Sequence, residues 1–314
     1  AMTNLGGEDK DKDKDKGGAS ENTEILINGN DIEQSTIGRL KYITKCKLVN
    51  DFVGQGYGLL DLDLNKEVIE LVPGSIDAVM KAEAKDDDDH HHPLGPKACV
   101  GAGTGLGECF LTTSSLHPDD GYECYPTEGG HVDFVPRDAL QVKLLNYLKQ
   151  KFDQPNRISV ERVVSGIGLA NIYEFLAKEF PKLVNKDIHS EFENAGALQG
   201  KVVGVNANGD SPDELCKKAM DIMMSAYGAE TGNCALKYIP TGGLYVSGGL
   251  TPKNIQFIKG EDSPFMKAYK DKGRMSGLLD SVPLFAVMVE DLGLRGARVC
   301  ALREYNSMKN TFSV

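Results

Sequence analysis

Short apolar segments alternate with helical segments over the second two-thirds of the chain, and this alternation limits the fold more than any other feature. The segment 138–152 carries apolar residues at helical spacing and is ended by Pro155. The sequence Ser211-Pro212-Asp213-Glu214 predicts a capping box with Pro212 at the first position of a long helix to about 237. Other helices are predicted at 160–164, at 169–180, from 251 and at 294–305, and strands at 46–49, on both sides of 101–107, at 244–247 and at 282–289. The fold class is therefore predicted to be α/β.

The charge balance excludes nucleic acid and membranes as expected partners. The 314 residues include 35 Lys and Arg against 46 Asp and Glu, a net charge of −11, which repels polyanionic surfaces. No apolar run approaches the roughly 20 residues of a membrane span, and the N-terminal residues lack the apolar core of a secretory signal. The seven cysteines are scattered and contain no CxxC pair, which fits a reducing compartment. A cytoplasmic protein is predicted.

Two charged segments have the composition of insertions. Residues 8–16 read EDKDKDKDK between glycines, and residues 86–92 read DDDDHHH. Neither contains apolar side chains to bury, so both are predicted to be solvated loops. Binding of a stray divalent metal by the histidines is the alternative for the second segment.

The glycine-rich run 101–107 is the sharpest local signal. The GxGxxG spacing of dinucleotide-binding turns fails, because Leu106 and Glu108 stand where its last glycine would be, and a strand-like CFLTT follows. A Walker loop fails as well, because no Gly-Lys-Ser/Thr is present. A glycine hairpin remains, in which backbone amides and the Thr104 hydroxyl could hold phosphate oxygens. A plain hairpin without a ligand is the alternative.

A second polar cluster lies at 127–131, which reads TEGGH. Glu128 can accept two hydrogen bonds and His131 can donate or accept one. This pairing suits the vicinal hydroxyl groups of a sugar. A loop with a surface glutamate and a satisfied histidine is the alternative.

Three further parts of the chain hold candidate residues because of where they lie relative to predicted strands and helices. Asn50 and Asp51 follow a predicted strand, where α/β sheets place ligands, and Asp51 could take a proton from a substrate hydroxyl. A simple turn would explain the same pair. Glu161 lies in the first turn of a predicted helix, where the helix dipole and a capping role suffice to explain it. Gly248 and Gly249 form a turn between a strand and a helix, with a nucleotide base or ribose as its plausible neighbour.

Taken in order, these segments resemble the bacterial-type glucokinases of the actin-like ATPase and sugar-kinase superfamily. The resemblance covers nearly the whole chain outside the two insertions. It is carried by AMTN (1–4), VNDF (49–52), GAGTGLG (101–107), TEGGHVDF (127–134), SVERVVSGIGL (159–169), GGLYVSGGL (242–250), YKDKGRM (269–275) and VEDLGLRGA (289–297).

The resemblance implies a two-domain actin-like ATPase fold, of the RNase H-like kind, with the site in the cleft between the domains. The smaller domain would comprise 1–96 with the C-terminal helix 302–314, and would carry the insertions near 6–18 and 85–93. The larger domain would comprise 97–301. The smaller domain is expected to be incomplete, because the family's Asp-x-Gly-Gly-Thr-Asn phosphate motif has no match in this chain.

The resemblance also implies residue roles. Asp51 would be the general base on the sugar 6-hydroxyl. ATP and Mg²⁺ would be the cofactors, with the metal ligands unknown, and a homodimer is expected by analogy. The glucose-binding residues would be Asn50, Asp51, Glu128, His131 and Glu161; the second phosphate loop would be Gly103, Thr104 and Gly105; Gly248 and Gly249 would border the adenosine.

An ATP-dependent glucokinase is therefore the leading hypothesis. A catalytically inactive, glucokinase-like sugar-binding or structural subunit is the alternative, which the missing phosphate motif favours. An oxidoreductase that uses the turn at 101–107 is a third hypothesis, weakened by the glycine spacing. ADP or polyphosphate stays open as the phosphoryl donor.

Overall fold

The computed structural model describes residues 26–28, 45–83, 95–114 and 121–311. The segment AMTN and the predicted insertions near 6–18 and 85–93 lie outside these residues.

The described strands form two sheets. A two-stranded antiparallel sheet pairs β1 with β2, and a six-stranded mixed sheet has the order β3-β8-β7-β4-β5-β6. The strands are β1 Leu26–Asn28, β2 Lys45–Lys47, β3 Val68–Glu70, β4 Lys97–Ala102, β5 Leu106–Thr113, β6 Tyr122–Thr127, β7 Leu244–Ser247 and β8 Leu284–Val287.

Helices follow the strands along the chain. They are α1 Asp51–Gly58, α2 Ser75–Glu83, α3 Ala139–Lys151, α4 Gly166–Glu179, α5 Lys186–Asn194, α6 Gln199–Asn206, α7 Glu214–Tyr238, α8 Leu250–Lys253, α9 Pro264–Lys270, α10 Ser276–Leu279 and α11 Leu292–Thr311. Single 3₁₀ turns at Gly129–His131 and Val160–Arg162 carry predicted site residues. None of the described helices has the length and apolar character needed to cross a bilayer.

The centre of the larger sheet is parallel and its edges are antiparallel. β4 and β8 both run parallel to β7, whereas β5, β6 and β3 are added in antiparallel register. Every residue of β4 and β7 is buried, as expected for strands covered on both faces. Because β4 and β7 are parallel, their carboxyl ends lie at one edge of the sheet, next to the tip of the β4–β5 hairpin.

The long helix α7 is tied to this edge by a buried tyrosine. The Tyr227 hydroxyl accepts a hydrogen bond from the Ala102 amide at 3.2 Å. It lies 3.1 Å from the carbonyl oxygens of Val100 and Ser247, to which it donates. One side chain therefore fixes the ends of β4 and β7 to the helix that covers them.

The chain divides into two compact units. The larger comprises Leu62–Glu290, and the smaller comprises the described residues of 1–61 and of 291–314. These limits differ from the expected ones near 96 and 301. The difference has a physical reason at the N-terminal side, since β3 pairs with β8 and brings its segment into the larger sheet.

The smaller unit contains a close helix pair. In α1 and α11, glycines replace side chains where the two backbones meet: a Cβ on Gly296 would overlap the carbonyl oxygen of Gly54. An ion pair between Arg298 and Asp61, at 3.1 Å, lies beside the pair. The glycine-rich sequence after Asp51 is therefore a helix with a packed face.

Several element predictions are confirmed and others are wrong. The helix predicted at 138–152 is α3, with the Asp138 side chain accepting from the Gln141 amide at 2.8 Å. The capping box at Ser211 is wrong: Asp213 caps α7 by accepting from the Cys216 amide at 2.9 Å, which leaves Pro212 outside the helix. The predicted strand 46–49 is shorter and earlier, as β2, and Leu48 beyond it is exposed.

Candidate functional site

The tip of the β4–β5 hairpin is a compact loop with unused amides. The Gly103 amide donates to the Gly105 carbonyl at 2.8 Å and closes the turn. Within the described residues, the amides of Thr104 and Gly105 donate to no protein acceptor, and the Thr104 side chain is exposed. Two free amides beside a hydroxyl group form a donor set that fits phosphate oxygens.

The start of helix α4 lies against this hairpin. The Gly166 amide donates to the Gly103 carbonyl at 2.9 Å, and Ser165 caps the helix by accepting from the Gly168 amide at 2.9 Å. The positive end of the helix dipole therefore lies beside the free amides of the tip, and both favour an anion there.

Gly248 lies on the other side of the hairpin. It has a φ of +83°, in the left-handed region, and a Cβ there would overlap the Ala102 carbonyl. Gly249 then caps the short helix α8, next to the ion pair of Lys253 with Glu290 at 3.1 Å. The turn thus joins the carboxyl ends of β4 and β7. Its predicted place beside adenosine stays a prediction.

Glu161 is bound to the hairpin through its side chain. Its Oε2 accepts a hydrogen bond from the Leu106 amide at 3.1 Å. A Cβ on Gly105 would overlap the same oxygen, so the glycine provides the space for this carboxylate. The helix dipole alone therefore does not explain Glu161, whose carboxylate rests against the start of β5.

Glu128 and His131 stand on the 3₁₀ turn after β6. Both side chains are exposed, and His131 Nε2 lies 3.8 Å from Glu128 Oε2. The His131 amide donates to the Glu128 carbonyl at 3.0 Å. The turn has no room for a side chain at Gly130, whose Cβ would overlap the Leu106 carbonyl. The predicted polar pair is therefore present as a compact unit.

The peptide groups of Leu106 connect these parts. Its amide holds Glu161, while its carbonyl abuts Gly130. The chain after the turn is held to the Glu161 segment as well, by bonds from Phe134 to Ile158 and from Val160 to Val132, each at 2.8 Å. The structure thus brings Glu161, the Glu128–His131 turn and the hairpin together on one side of the larger unit.

Asn50 and Asp51 belong to the smaller unit and begin helix α1. The Asn50 side chain caps the helix, accepting from the amides of Phe52 at 2.9 Å and Val53 at 3.2 Å. Asp51 follows in the first turn, exposed, with Oδ1 accepting from the Phe52 amide at 2.9 Å. Helix initiation, rather than a strand-end turn, is the local role of the pair. Its convergence with Glu128, His131 and Glu161 stays a prediction.

Sequence reasoning missed a buried acidic group, Glu108, on β5 directly after the glycine run. Its Oε2 accepts a hydrogen bond from the Cys234 thiol at 3.2 Å. A carboxylate oxygen of Glu108, one of Glu230 and the Cys234 sulfur all lie within 4.8 Å of one another. Burial, and then the charge of Glu230, raise the pKa of Glu108 to about 7. A glutamate at an inward-facing position of a strand was the available signal.

This cluster is a poor site for Mg²⁺. Among the described residues it is the group whose ligand atoms lie close enough together to share an ion, and all three members are buried. Mg²⁺ prefers oxygen ligands in octahedral geometry and keeps several waters, which a buried site with a thiol does not supply. A proton on Glu108 is the simpler occupant.

The strand that follows the glycine run also bears on the oxidoreductase hypothesis. In a dinucleotide-binding turn the glycines lead into a helix whose N-terminus faces the pyrophosphate. Here they lead into β5, which pairs with β4 from Leu106 onward. The geometry is that of a hairpin, which disfavours this hypothesis.

Comparison with known proteins gives a consistent family. A family model described as Glucokinase matches residues 25–304. The chain is 39% identical over 267 residues to a glucokinase of Synechocystis, covering 82% of this chain and 69% of the relative. A glucokinase of Nostoc is 39% identical over 266 residues, covering 82% and 70%.

Structural comparison agrees. The crystal structure of a glucokinase from an Antarctic psychrotroph matches with a TM-score of 0.56 and 26% identity, covering 80% of this chain and 67% of that chain. This chain thus spans about seven tenths of the length of the curated relatives.

Proposed function

The chain belongs to the glucokinase family, and from this premise we propose how its residues phosphorylate glucose. The family predicted from the sequence motifs is thereby confirmed, and so is the α/β sugar-kinase fold class. The reaction transfers the γ-phosphoryl group of ATP to the 6-hydroxyl group of glucose and gives glucose 6-phosphate. An attacking oxygen of the sugar displaces ADP at phosphorus, and the hydroxyl proton passes to a base.

Asp51 is proposed to be that base. Phosphoryl transfer depends mainly on alignment and charge stabilisation, so the base needs a free carboxylate oxygen that reaches the hydroxyl group. Asp51 is exposed and its Oδ1 is oriented by the Phe52 amide, while Oδ2 has no hydrogen-bond partner within the described chain. Asn50, which caps the same helix, is proposed to contact a neighbouring hydroxyl group.

Glu128, His131 and Glu161 are proposed to bind the remaining hydroxyl groups. Glu128 and His131 are exposed and adjacent, and one oxygen of Glu161 is held by Leu106 while the other accepts from no described donor. Fixed polar groups of this kind discriminate between epimers, because a misplaced hydroxyl leaves a partner unpaired.

The hairpin tip is proposed to hold the phosphates of MgATP. The free amides of Thr104 and Gly105, the Thr104 hydroxyl group and the start of α4 supply donors and positive potential. Gly248 and Gly249 are proposed to border the adenosine. Mg²⁺ would arrive with the nucleotide and neutralise phosphate charge; no described carboxylate is assigned to it.

The observation that supports the proposal is a pair of backbone contacts of Leu106, at the start of β5. Its amide donates to Glu161 and its carbonyl oxygen lies against Gly130, so Glu161 and the Glu128–His131 turn both lie next to the hairpin. These elements come from three distant parts of the sequence. Their proximity is expected of a site that holds a sugar next to a nucleotide.

The test is an Asp51→Asn substitution, assayed by coupled detection of glucose 6-phosphate. We expect kcat to fall about 10²- to 10⁴-fold, the usual range for loss of a general base, with glucose affinity largely retained. Asp77→Asn is the matched control, since Asp77 is also an exposed aspartate in the first turn of a helix. Unchanged turnover in the Asp51 variant rules out its role.

An inactive sugar-binding subunit is the second candidate. It predicts glucose binding by calorimetry without any glucose 6-phosphate, for the wild type as well as for the variants. A cytoplasmic location is proposed from the cysteine pattern, and a homodimer is proposed on the resemblance alone.

A further inference from the structure

Glu108 is buried directly beneath the turn that carries Glu128 and His131. Only 1% of the Glu108 surface is exposed. A Cβ on Gly129 would overlap both Oε2 and Cδ of the Glu108 side chain, so the carboxyl group lies in contact with the backbone of that turn. The carboxyl group therefore cannot shift toward this turn without displacing Gly129.

The backbone of Glu108 anchors the same turn. The Thr127 hydroxyl group donates to the Glu108 carbonyl at 3.1 Å and accepts from the Gly129 amide at 3.2 Å. Main chain and side chain of one residue therefore both support the segment from Thr127 to Gly129.

The surroundings of the Glu108 side chain disfavour a negative charge. Its Oε1 has no hydrogen-bond partner among the residues that the structure describes. Glu230 is itself buried, with 4% of the residue exposed. It is paired with Lys237 at 3.5 Å and accepts a hydrogen bond from Asn233 at 2.9 Å, so these two donors serve Glu230 rather than Glu108. The titratable groups around Glu108 come from helix α7; they are Glu230, Cys234, Lys237, Tyr227 and Tyr238.

We propose that Glu108 is a positioning residue for sugar binding: its neutral carboxyl group seats the Gly129 turn and thereby sets where Glu128 and His131 stand. The inference rests on the proposed function, in which those two side chains bind glucose. Glu108 does not touch the sugar itself and acts through the turn.

Ionisation of Glu108 displaces the Gly129 turn from its packed position. A buried carboxylate needs hydrogen-bond donors or water, and the segment packed directly on it is Gly129. Water can reach the carboxylate when this segment moves, and Glu128 and His131 move with it. The pKa of about 7 places this transition in the neutral range. Sugar affinity therefore falls as the pH rises through that range.

The first experiment measures glucose KM and ATP KM of the full chain from pH 6 to pH 8. We expect glucose KM to rise about fivefold between pH 6 and pH 8, which corresponds to a carboxyl pKa of about 7 in the free protein and one unit higher in the glucose complex. ATP KM should stay level. Glu108→Gln, a neutral mimic of the protonated acid, should keep the low glucose KM across the range.

Two further variants sharpen the result. Glu230→Gln removes the charge that disfavours ionisation of Glu108, so the rise in glucose KM should move to lower pH; this variant carries the same test if Glu108→Gln does not fold. Glu174→Gln is the control, because Glu174 has a pKa lowered to about 2 and stays ionised throughout. It should follow the wild type.

The second experiment needs no glucose. Hydrogen exchange of the Gly129, His131 and Val132 amides, corrected for intrinsic rates, should show less protection at pH 8 than at pH 6 in the wild type. Glu108→Gln should show equal protection at both. A pH dependence that persists unchanged in Glu108→Gln overturns the inference, even with active enzyme. Absent glucose phosphorylation with the expected exchange pattern overturns the proposed function alone.

Discussion

Glycines have different structural roles in the two compact units. In the smaller unit, Gly296 of α11 meets Gly54 of α1 backbone to backbone, and the missing side chain allows two helices to approach. In the larger unit, Gly105 gives its space to the Glu161 carboxylate, and Gly103 at the same tip faces open space. The first use is for packing between helices, and the second leaves polar groups free for a ligand.

The comparison teaches how to separate structural from functional glycines. Both stretches look alike in sequence, since VGQGYG and GAGTGLG each alternate glycine with other residues. What differs is the atom nearest to the missing Cβ. In these two stretches, backbone at that point marks the contact between helices, whereas a carboxylate or open space marks the hairpin tip.

The largest expected effect is in the helix pair. Gly296→Ala forces its Cβ into the Gly54 carbonyl, and we expect a loss of about 3 kcal/mol or more in the free energy of unfolding, the upper end for overpacking. Gly293→Ala, in the same helix with nothing within 4 Å, should change it by less than about 0.5 kcal/mol. Urea unfolding followed by circular dichroism measures both. Equal losses in the free energy of unfolding for the two variants would contradict the packing role of Gly296.

A smaller effect, on binding rather than stability, is expected at the hairpin. Gly105→Ala displaces the Glu161 carboxylate, which is the flexible end of a side chain, so the hydrogen bond to Leu106 is lost at a cost of about 1 kcal/mol. We expect glucose KM to rise roughly tenfold, the scale of one misplaced polar contact. Gly103→Ala, with open space at its Cβ, should leave glucose KM unchanged. Steady-state kinetics with varied glucose would decide this, and an equal rise in both variants contradicts the role of Glu161.

The smallest effect is expected at the exposed hydroxyl of the tip. Thr104→Ala removes one neutral donor to phosphate, so ATP KM should rise by about fivefold, equivalent to roughly 1 kcal/mol, with glucose KM and stability unchanged. Thr104→Ser should restore the wild-type ATP KM. A glucose effect without an ATP effect would place Thr104 at the sugar instead of the nucleotide.

Much of the fold could be predicted, because its periodic segments are long. Helix α3, strand β7 and the hairpin all follow from local pattern. The predictions failed where a choice between neighbouring residues depends on tertiary context. Ser211 and Asp213 are both good caps, and the structure uses Asp213.

The candidate site was predictable in its members but not in its connections. Glu161 followed from the family motif, yet its bond to the Leu106 amide joins residues 55 apart in sequence. Glu108 was overlooked because its role depends on a contact with Gly129, which no local pattern indicates. Motifs identify exposed polar groups, whereas the buried groups that hold them appear only when strands are paired.

The placement of Leu106 has a consequence for mutagenesis. It serves the site through its backbone amide and carbonyl, which every residue type except proline possesses. Side-chain scanning would therefore rate this position by its contribution to the apolar core and overlook its connecting role. A backbone ester at this peptide bond deletes the donor and keeps the side chain. It would measure how much the hydrogen bond of this one amide contributes to the arrangement of the site.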